Sequence, residues 1–231
     1  MFTGIIQTIA TVTATTPTQA GVRLTIDTQG WVPDRGYQPT LGDSIAVSGV
    51  CLTLAAIESD RAVFGFDAIS ETLNKTTLGR LRPGSKVNLE PAVLPTQPMG
   101  GHTVQGHVDG VGVITAIHDN PADWRLTLRP PDEMMRWMIP KGSVCIDGIS
   151  LTLAEVANDT ITIALIPTTL DITTLGQAKV GDEVNLEADA LVKAIVHTLE
   201  TMQQQGGDGE AVTMELLALA GFNRSHSPSN N

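Results

Sequence analysis

Short apolar and alternating runs, cut at close intervals by Gly, Pro and Asp, set the pattern of this chain. The runs from Ser44 to Val50 (SIAVSGV) and from Thr160 to Ile166 (TITIALI) are short and rich in Val, Ile and Thr, so they predict strands. Strands of this kind expose adhesive edges unless the sheet closes on itself, and a six-stranded closed barrel fits the length available. TTLG, at Thr76 to Gly79 and again at Thr173 to Gly176, predicts a short helical turn ended by glycine. PGSKVNLE and VGDEVNLE then each open a strand after a turn. After Asp189 the period changes: Val192, Ile195, Leu199 and Met202 fall at spacings of three, four and three, on one stripe of a helix. That seam is expected to meet copies of itself; docking on the chain's own barrel is the other use for it. Beyond it, QQQGGDGE reads as a flexible linker, Ala211 to Phe222 as a further short helix and NRSHSPSNN as a flexible end.

The pattern also repeats. Glu71 to Glu90 (ETLNKTTLGRLRPGSKVNLE) matches Thr168 to Glu187 (TTLDITTLGQAKVGDEVNLE) at 11 of 20 positions without a gap. Upstream, Ser44 to Leu54 (SIAVSGVCLTL) corresponds to Ser143 to Leu153 (SVCIDGISLTL), and more weakly Thr3 to Ile6 (TGII) to Gln105 to Val108 (QGHV). Three ordered matches imply duplication of a unit of about 95 residues. The expected fold is mainly β: two tandem six-stranded antiparallel Greek-key barrels from an internal duplication, plus a C-terminal helix. The expected boundaries are 1–97 and 98–188 for the barrels, 189–205 for the helix and 206–231 for a flexible tail with a short helix.

Composition narrows the function. A chain of 231 residues that is 42% hydrophobic can bury a core, and 22 Gly with 13 Pro suit strands joined by turns. A net charge of −11 repels polyanions, which excludes nucleic acid as a partner. No apolar run approaches the roughly 18 residues that span a bilayer, and MFTGIIQTIATVTATT has no basic n-region, so a cytoplasmic protein without a membrane partner is expected. Two cysteines, Cys51 and Cys145, in unlike surroundings make no disulfide framework. No CxxC or HxxxH pair suggests a metal, GRLRPGSK lacks the Gly-Lys-Ser/Thr order of a phosphate loop, and neither GxGxxG nor GxSxG occurs.

The paired stretches SGVCLT and DGISLT put Cys51 or Ser150 two residues before Thr53 or Thr152, on one strand face. These short polar groups can face a planar heterocycle, or simply line a barrel's exterior. GGHTVQGHVDG, Gly100 to Gly110, carries His102 and His107 five residues apart, a spacing that suits neither one helix face nor one strand face. A single histidine titrating near neutrality suits proton transfer, and stabilising the turn is the other reading. Lys141, in a PKGSV turn, reads by itself as a solvated lysine.

Taken together, MFTGII, SGVCLT, SETL, GGHTVQGHVDG, DGISLT and the two TTLG…VNLE repeats resemble the riboflavin synthase alpha-chain family over roughly residues 1 to 205. The resemblance implies a transferase built as a homotrimer of tandem lumazine-binding barrels held by C-terminal helices. Each barrel would bind one 6,7-dimethyl-8-ribityllumazine, and the working site would lie between barrels of different subunits. Two lumazines exchange four carbons to give riboflavin and 5-amino-6-ribitylamino-uracil, with no metal or organic cofactor; association with a lumazine synthase is a further partner the family suggests. Carried over, Gly4, Ile5, Ile6, Cys51, Leu52, Thr53 and Asp67, Ala68, Ile69, Ser70, Glu71 and Thr72 line the N-barrel pocket. Ser150, Leu151, Thr152 and Ile166, Pro167, Thr168, Thr169, Leu170 and Asp171 line the C-barrel pocket. Gly106, His107, Val108 and Lys141 complete the substrate contacts. His107 is implied in proton transfer, Ser44 and Cys51 in positioning or generating the nucleophile, with Phe2 and Thr3 nearby and Lys141 and Asp189 assisting from the partner side. Ser48 stands where the family often has asparagine, and Thr168 where it often has glutamate or histidine. A non-catalytic lumazine or flavin antenna protein would share the barrels but lose part of one pocket.

Overall fold

The computed structural model describes residues 1–31, 37–58, 62–96, 98–120 and 123–205. The predicted linker, the short helix at Ala211 to Phe222 and the flexible end at 206–231 lie outside the described residues. Strands β1 (Thr8–Pro17), β2 (Gly21–Asp27), β3 (Ser44–Val47), β4 (Val50–Glu58), β5 (Val63–Ile69) and β6 (Lys86–Pro91) close a barrel in the order β1-β2-β5-β4-β3-β6. Strands β7 (Gly110–His118), β8 (Trp124–Arg129), β9 (Ser143–Ile146), β10 (Ile149–Val156), β11 (Ile161–Leu165) and β12 (Glu183–Ala188) repeat that connectivity as a second closed, wholly antiparallel barrel. The duplication extends to the irregularities. The register shift between Val12 and Ala14 recurs between Ile114 and Ala116, and that between Leu54 and Ala56 recurs between Leu153 and Glu155. Bulges at matched places bend matched strands, which a small barrel needs in order to close.

Period-two alternation builds the interiors. In β4, Val50, Leu52 and Leu54 are buried while Cys51 and Thr53 face outward; Leu151 and Leu153 point inward from β10, between Ser150 and Thr152. Phe64, Phe66, Leu24 and Leu89 fill the first barrel, and Leu126, Leu128, Ile163 and Leu186 the second. Each TTLG motif forms a 3₁₀ turn, Thr77–Arg80 and Thr174–Gln177, that runs one residue past its glycine. Ahead of each turn stands a helix absent from the sequence expectation, α1 (Ser70–Lys75) and α2 (Pro167–Ile172). Six residues are less than two turns, too few for the 3.6-residue period to show in the sequence.

Residues 1–193 form one compact unit, in which the N-terminal segment of each repeat crosses to the other barrel. Ile6 is part of the second barrel's core, and Val108, its repeat counterpart, packs on the first barrel's. The two crossing segments meet at a bridge in which Phe2 and Val104 exchange N–H···O bonds of 2.7 and 3.1 Å. Helix α3 (Ala190–Gln205) is capped by Asp189, whose carboxylate accepts the Leu191 N–H at 2.8 Å. Along it, Ile195, Leu199 and Met202 form an exposed apolar stripe.

Candidate active site

On each barrel a glycine turn of the other repeat docks on the outer wall, beside Cys51 on the first and Ser150 on the second. On the first barrel a cleft of about 270 Å³ is lined by Val50, Cys51, Glu71, Thr72, Lys75, Thr76, Gly106, His107 and Val108. Strand β4 supplies the thiol, α1 supplies Glu71 and Thr72, and the crossing segment supplies His107. The segment is fixed by the Cys51 N–H, which donates to the Gly106 carbonyl at 2.9 Å. Gly106 has φ 81°, and a Cβ there would stand 2.5 Å from that of Cys51, so only glycine lets the chains approach this closely.

The second barrel repeats the construction with other chemistry. The Ser150 N–H donates to the Gly4 carbonyl at 2.8 Å, and Gly4, at φ 78°, would bring a Cβ to 2.5 Å from that of Ser150. Here Ser150 Oγ lies 2.6 Å from His102 Nδ1. Burial holds the His102 imidazole below its ordinary pKa, against the opposing charge of Asp189. A neutral ring with its proton on Nε2 accepts the Ser150 hydroxyl proton through Nδ1, which raises the basicity of that oxygen.

The geometry corrects several expectations. Gly4, Ile5 and Ile6 belong to the second barrel, not to the N-barrel pocket, because the two barrel walls are near copies and a crossing segment fits the partner wall equally well. Phe2 is wholly buried with Ala46, Val104 and Cys145, and its side chain has no face left for a ligand. Thr3 is buried too, its hydroxyl donating to Glu90 at 2.8 Å. Leu52, Leu151 and Ala68 point into barrel interiors. Asp67 is held below its usual pKa by a bidentate bond from Arg23. Ser44 pairs with Thr53 in the β3–β4 ladder and is not among the residues lining the N-barrel cleft. Ile69 and Ser70 lie at the start of α1, where Ser70 Oγ donates to the Ala20 carbonyl at 3.3 Å. Ile166 is exposed ahead of α2, which carries Pro167, Thr168, Thr169, Leu170 and Asp171. Lys141 is exposed in a turn at φ 67°. Cys145 is sealed in, and burial pushes its thiol pKa well up, so Cys51 is the reachable thiol.

Sequence reasoning missed the His102–Ser150 pair and two buried carboxylates. Glu187 accepts the N–H groups of Gln105, Gly106 and His107 at 2.7, 2.9 and 3.0 Å; Glu90 accepts those of Thr3 and Gly4 at 2.6 and 3.0 Å. Burial raises the pKa of both, and the N–H bonds oppose that shift. Asn88 and Asn185 also reach across: Asn88 bonds the Asp147 carbonyl and Thr174, and Asn185 bonds Thr77 and the Ser48 carbonyl. The signal for all four was their identity at outward positions of both VNLE strands.

Duplicated barrels, each setting a short nucleophilic side chain against a glycine turn of the other repeat, with a cleft beside that turn on the first, define a tandem ligand-binding barrel protein. A family model described as the lumazine binding domain matches residues 3–92 and 105–189. The riboflavin synthase of Mycobacterium tuberculosis is 43% identical over 198 residues, covering 84% of this chain and 96% of the relative. That of Bacillus subtilis is 35% identical over 222 residues, covering 96% and 100%. Among solved structures, LumP complexed with riboflavin superposes with a TM-score of 0.72 at 28% identity, over 81% of this chain and 99% of that one. The chain belongs to the riboflavin synthase family.

Proposed function

We propose that this protein is a riboflavin synthase, which converts two molecules of 6,7-dimethyl-8-ribityllumazine into riboflavin and 5-amino-6-ribitylamino-uracil. The observation that carries this reading is the pair of related but unequal sites, the cleft of Cys51 and His107 on one barrel and the bonded pair of Ser150 and His102 on the other. A reaction whose donor and acceptor are the same compound needs two sites of one shape, so that both copies are held in reacting orientation. It also needs those sites to differ, because one lumazine takes up a nucleophile and becomes the four-carbon donor while the other loses a proton from its C7 methyl group. His107 is the base for that proton, Cys51 or the His102-assisted Ser150 hydroxyl is the source of the nucleophile, and Lys141 binds substrate.

The functional units in this reading are 1–97 and 98–188 as lumazine-binding barrels, 189–205 as a trimerisation helix and 206–231 as a tail. The working assembly is a cytoplasmic homotrimer, in which an N-terminal site of one subunit meets a C-terminal site of another. Anaerobic incubation of the purified chain with 6,7-dimethyl-8-ribityllumazine alone is the test. Two lumazines consumed per riboflavin formed is expected; tight binding with unchanged absorbance would replace this reading with a non-catalytic lumazine binder. His107→Ala is expected to stay folded and bind lumazine while turnover falls by about 10²- to 10⁴-fold, the usual worth of a general base. Full activity in that variant removes His107 from the role.

A further inference from the structure

The VNLE strands are the part of the repeat that the proposed chemistry leaves unused. Val and Leu of each point inward, yet the outward Asn and Glu are buried as well, with Glu90 3% and Glu187 2% exposed. Ionised carboxylates are costly in such places unless their charge is met. For Glu187 it is met by the three consecutive N–H groups of 105–107 and by the field of Lys193, whose Nζ is itself bonded to Asp109. Apart from the bridge at Val104, the crossing segment has no strand pairing before β7 begins at Gly110. Between Val104 and β7 its polar tethers include the Glu187 carboxylate, the Cys51 to Gly106 bond, the Asp109 N–H on the Leu186 carbonyl, and the Asp109 carboxylate, which accepts the Ala188 N–H and the Lys193 ammonium. Of these only Glu187 holds the His107 N–H directly.

We infer that Glu187 is a positioning residue for His107, and Glu90 its counterpart for the Thr3–Gly4 turn over Ser150, so that the last strand of each repeat sets the ligand-facing loop of the site on the other barrel. Through the His107 N–H the carboxylate fixes where the imidazole root sits over Cys51. Displacement of a reacting group by about 1 Å costs on the order of 100-fold in rate. The inference rests on the reading of His107 as the base acting on lumazine.

Glu187→Gln keeps the shape of the side chain and removes the charge and one acceptor. In the full chain it is expected to lower kcat by about 10- to 100-fold while KM for lumazine changes less than about threefold. In a His107→Ala background the same substitution is expected to cost less than about threefold, because residues that act as a unit are not additive. Equal losses in both backgrounds, or no loss with His107 present, would overturn the inference in favour of a merely structural carboxylate. A second readout is independent of turnover: the ring signals of His107 in ¹H–¹³C spectra, assigned by their absence from His107→Ala, should move in Glu187→Gln while those of His118 stay. Unmoved His107 signals overturn the positioning role even where riboflavin forms; moved signals in a chain that makes no riboflavin uphold it and refute the enzyme reading alone. If Glu187→Gln does not fold, Glu187→Asp, which keeps the charge and withdraws it by one methylene, is read in the same way.

Discussion

Lys141 holds a left-handed backbone, φ 67°, at the position where the first barrel has Gly42, and both N–H groups make the same bond, to Leu153 and Leu54 respectively. A lysine there costs about 1 kcal/mol that glycine would not, and such strain persists where a side chain is needed. Lys141→Gly is therefore expected to leave thermal stability unchanged or raised by up to about 1 kcal/mol. Lumazine affinity should fall at least tenfold, in line with the roughly 1.5–3 kcal/mol of a charge-assisted hydrogen bond. Titration of binding by lumazine fluorescence beside a melting curve checks both halves. Asp147 is a different case: it sits at φ 45° between the barrels, enclosed by protein though partly reachable by solvent, and burial raises its pKa to about 7 while the Asn185 N–H opposes the shift. Its folded-state pKa exceeds the unfolded value, so the native state holds the extra proton and stability falls as pH rises from about 4 to about 7. Asp147→Asn keeps an acceptor for Asn185 and tolerates the turn. It should be more stable than the parent at pH 8 by on the order of 1 kcal/mol, and lose that advantage near pH 4; equal differences at both pH values would show that the carboxyl is not the cause.

Elements here work in pairs across the two repeats, and the pairing explains what could be read from the sequence. Barrel strands, their outward Cys51 and Ser150, and the helix after Asp189 follow from alternation and period. The crossing of residues 1–6 and 102–108 does not, because Gly4 and Gly106 each have an equally good docking wall on either copy, and self-similarity cannot say which is used. The burial of Asn88, Glu90, Asn185 and Glu187 was hidden for the same reason: they point out of their own barrel and are covered by residues far away in sequence. Two consequences are measurable. Asn88 donates to the Asp147 carbonyl and to Thr174, and accepts the Thr174 N–H at 2.9 Å, so Asn88→Ala strands three half-buried partner groups on the other barrel. That should cost about 2–4 kcal/mol, lowering Tm by roughly 5–15 °C in one cooperative transition. A separate, earlier transition for one barrel alone would instead mean that the barrels fold independently. Gly106→Ala faces both a positive φ and the Cys51 backbone, so the segment must leave its wall. Its expected result is loss of lumazine binding at the first barrel with the second retained, seen as halved stoichiometry.

At the scale of the whole molecule, duplication supplies two related sites but leaves open how two ligands come to face one another. Helix α3 bears on this. Its stripe of Ile195, Leu199 and Met202 is 59%, 55% and 60% exposed, a run of large side chains at helical spacing that a solitary chain leaves in water. In the proposed trimer the same stripe would become a shared seam, and assembly would bring the N-terminal site of one subunit to the C-terminal site of the next. Ile195→Glu combined with Leu199→Glu would set like charges against one another in that seam, a burial far too costly for assembly to survive. The variant is expected to sediment as a monomer, to keep its barrels folded, and to bind lumazine at each site with little change. Riboflavin formation should fall to the level of chance encounter between separate chains and so rise steeply with protein concentration. A variant that still sediments as a trimer would place the contact elsewhere. A monomer with undiminished, concentration-independent turnover would mean that both substrates meet within one chain, and that the exchange of segments between its barrels, not assembly, builds the working site.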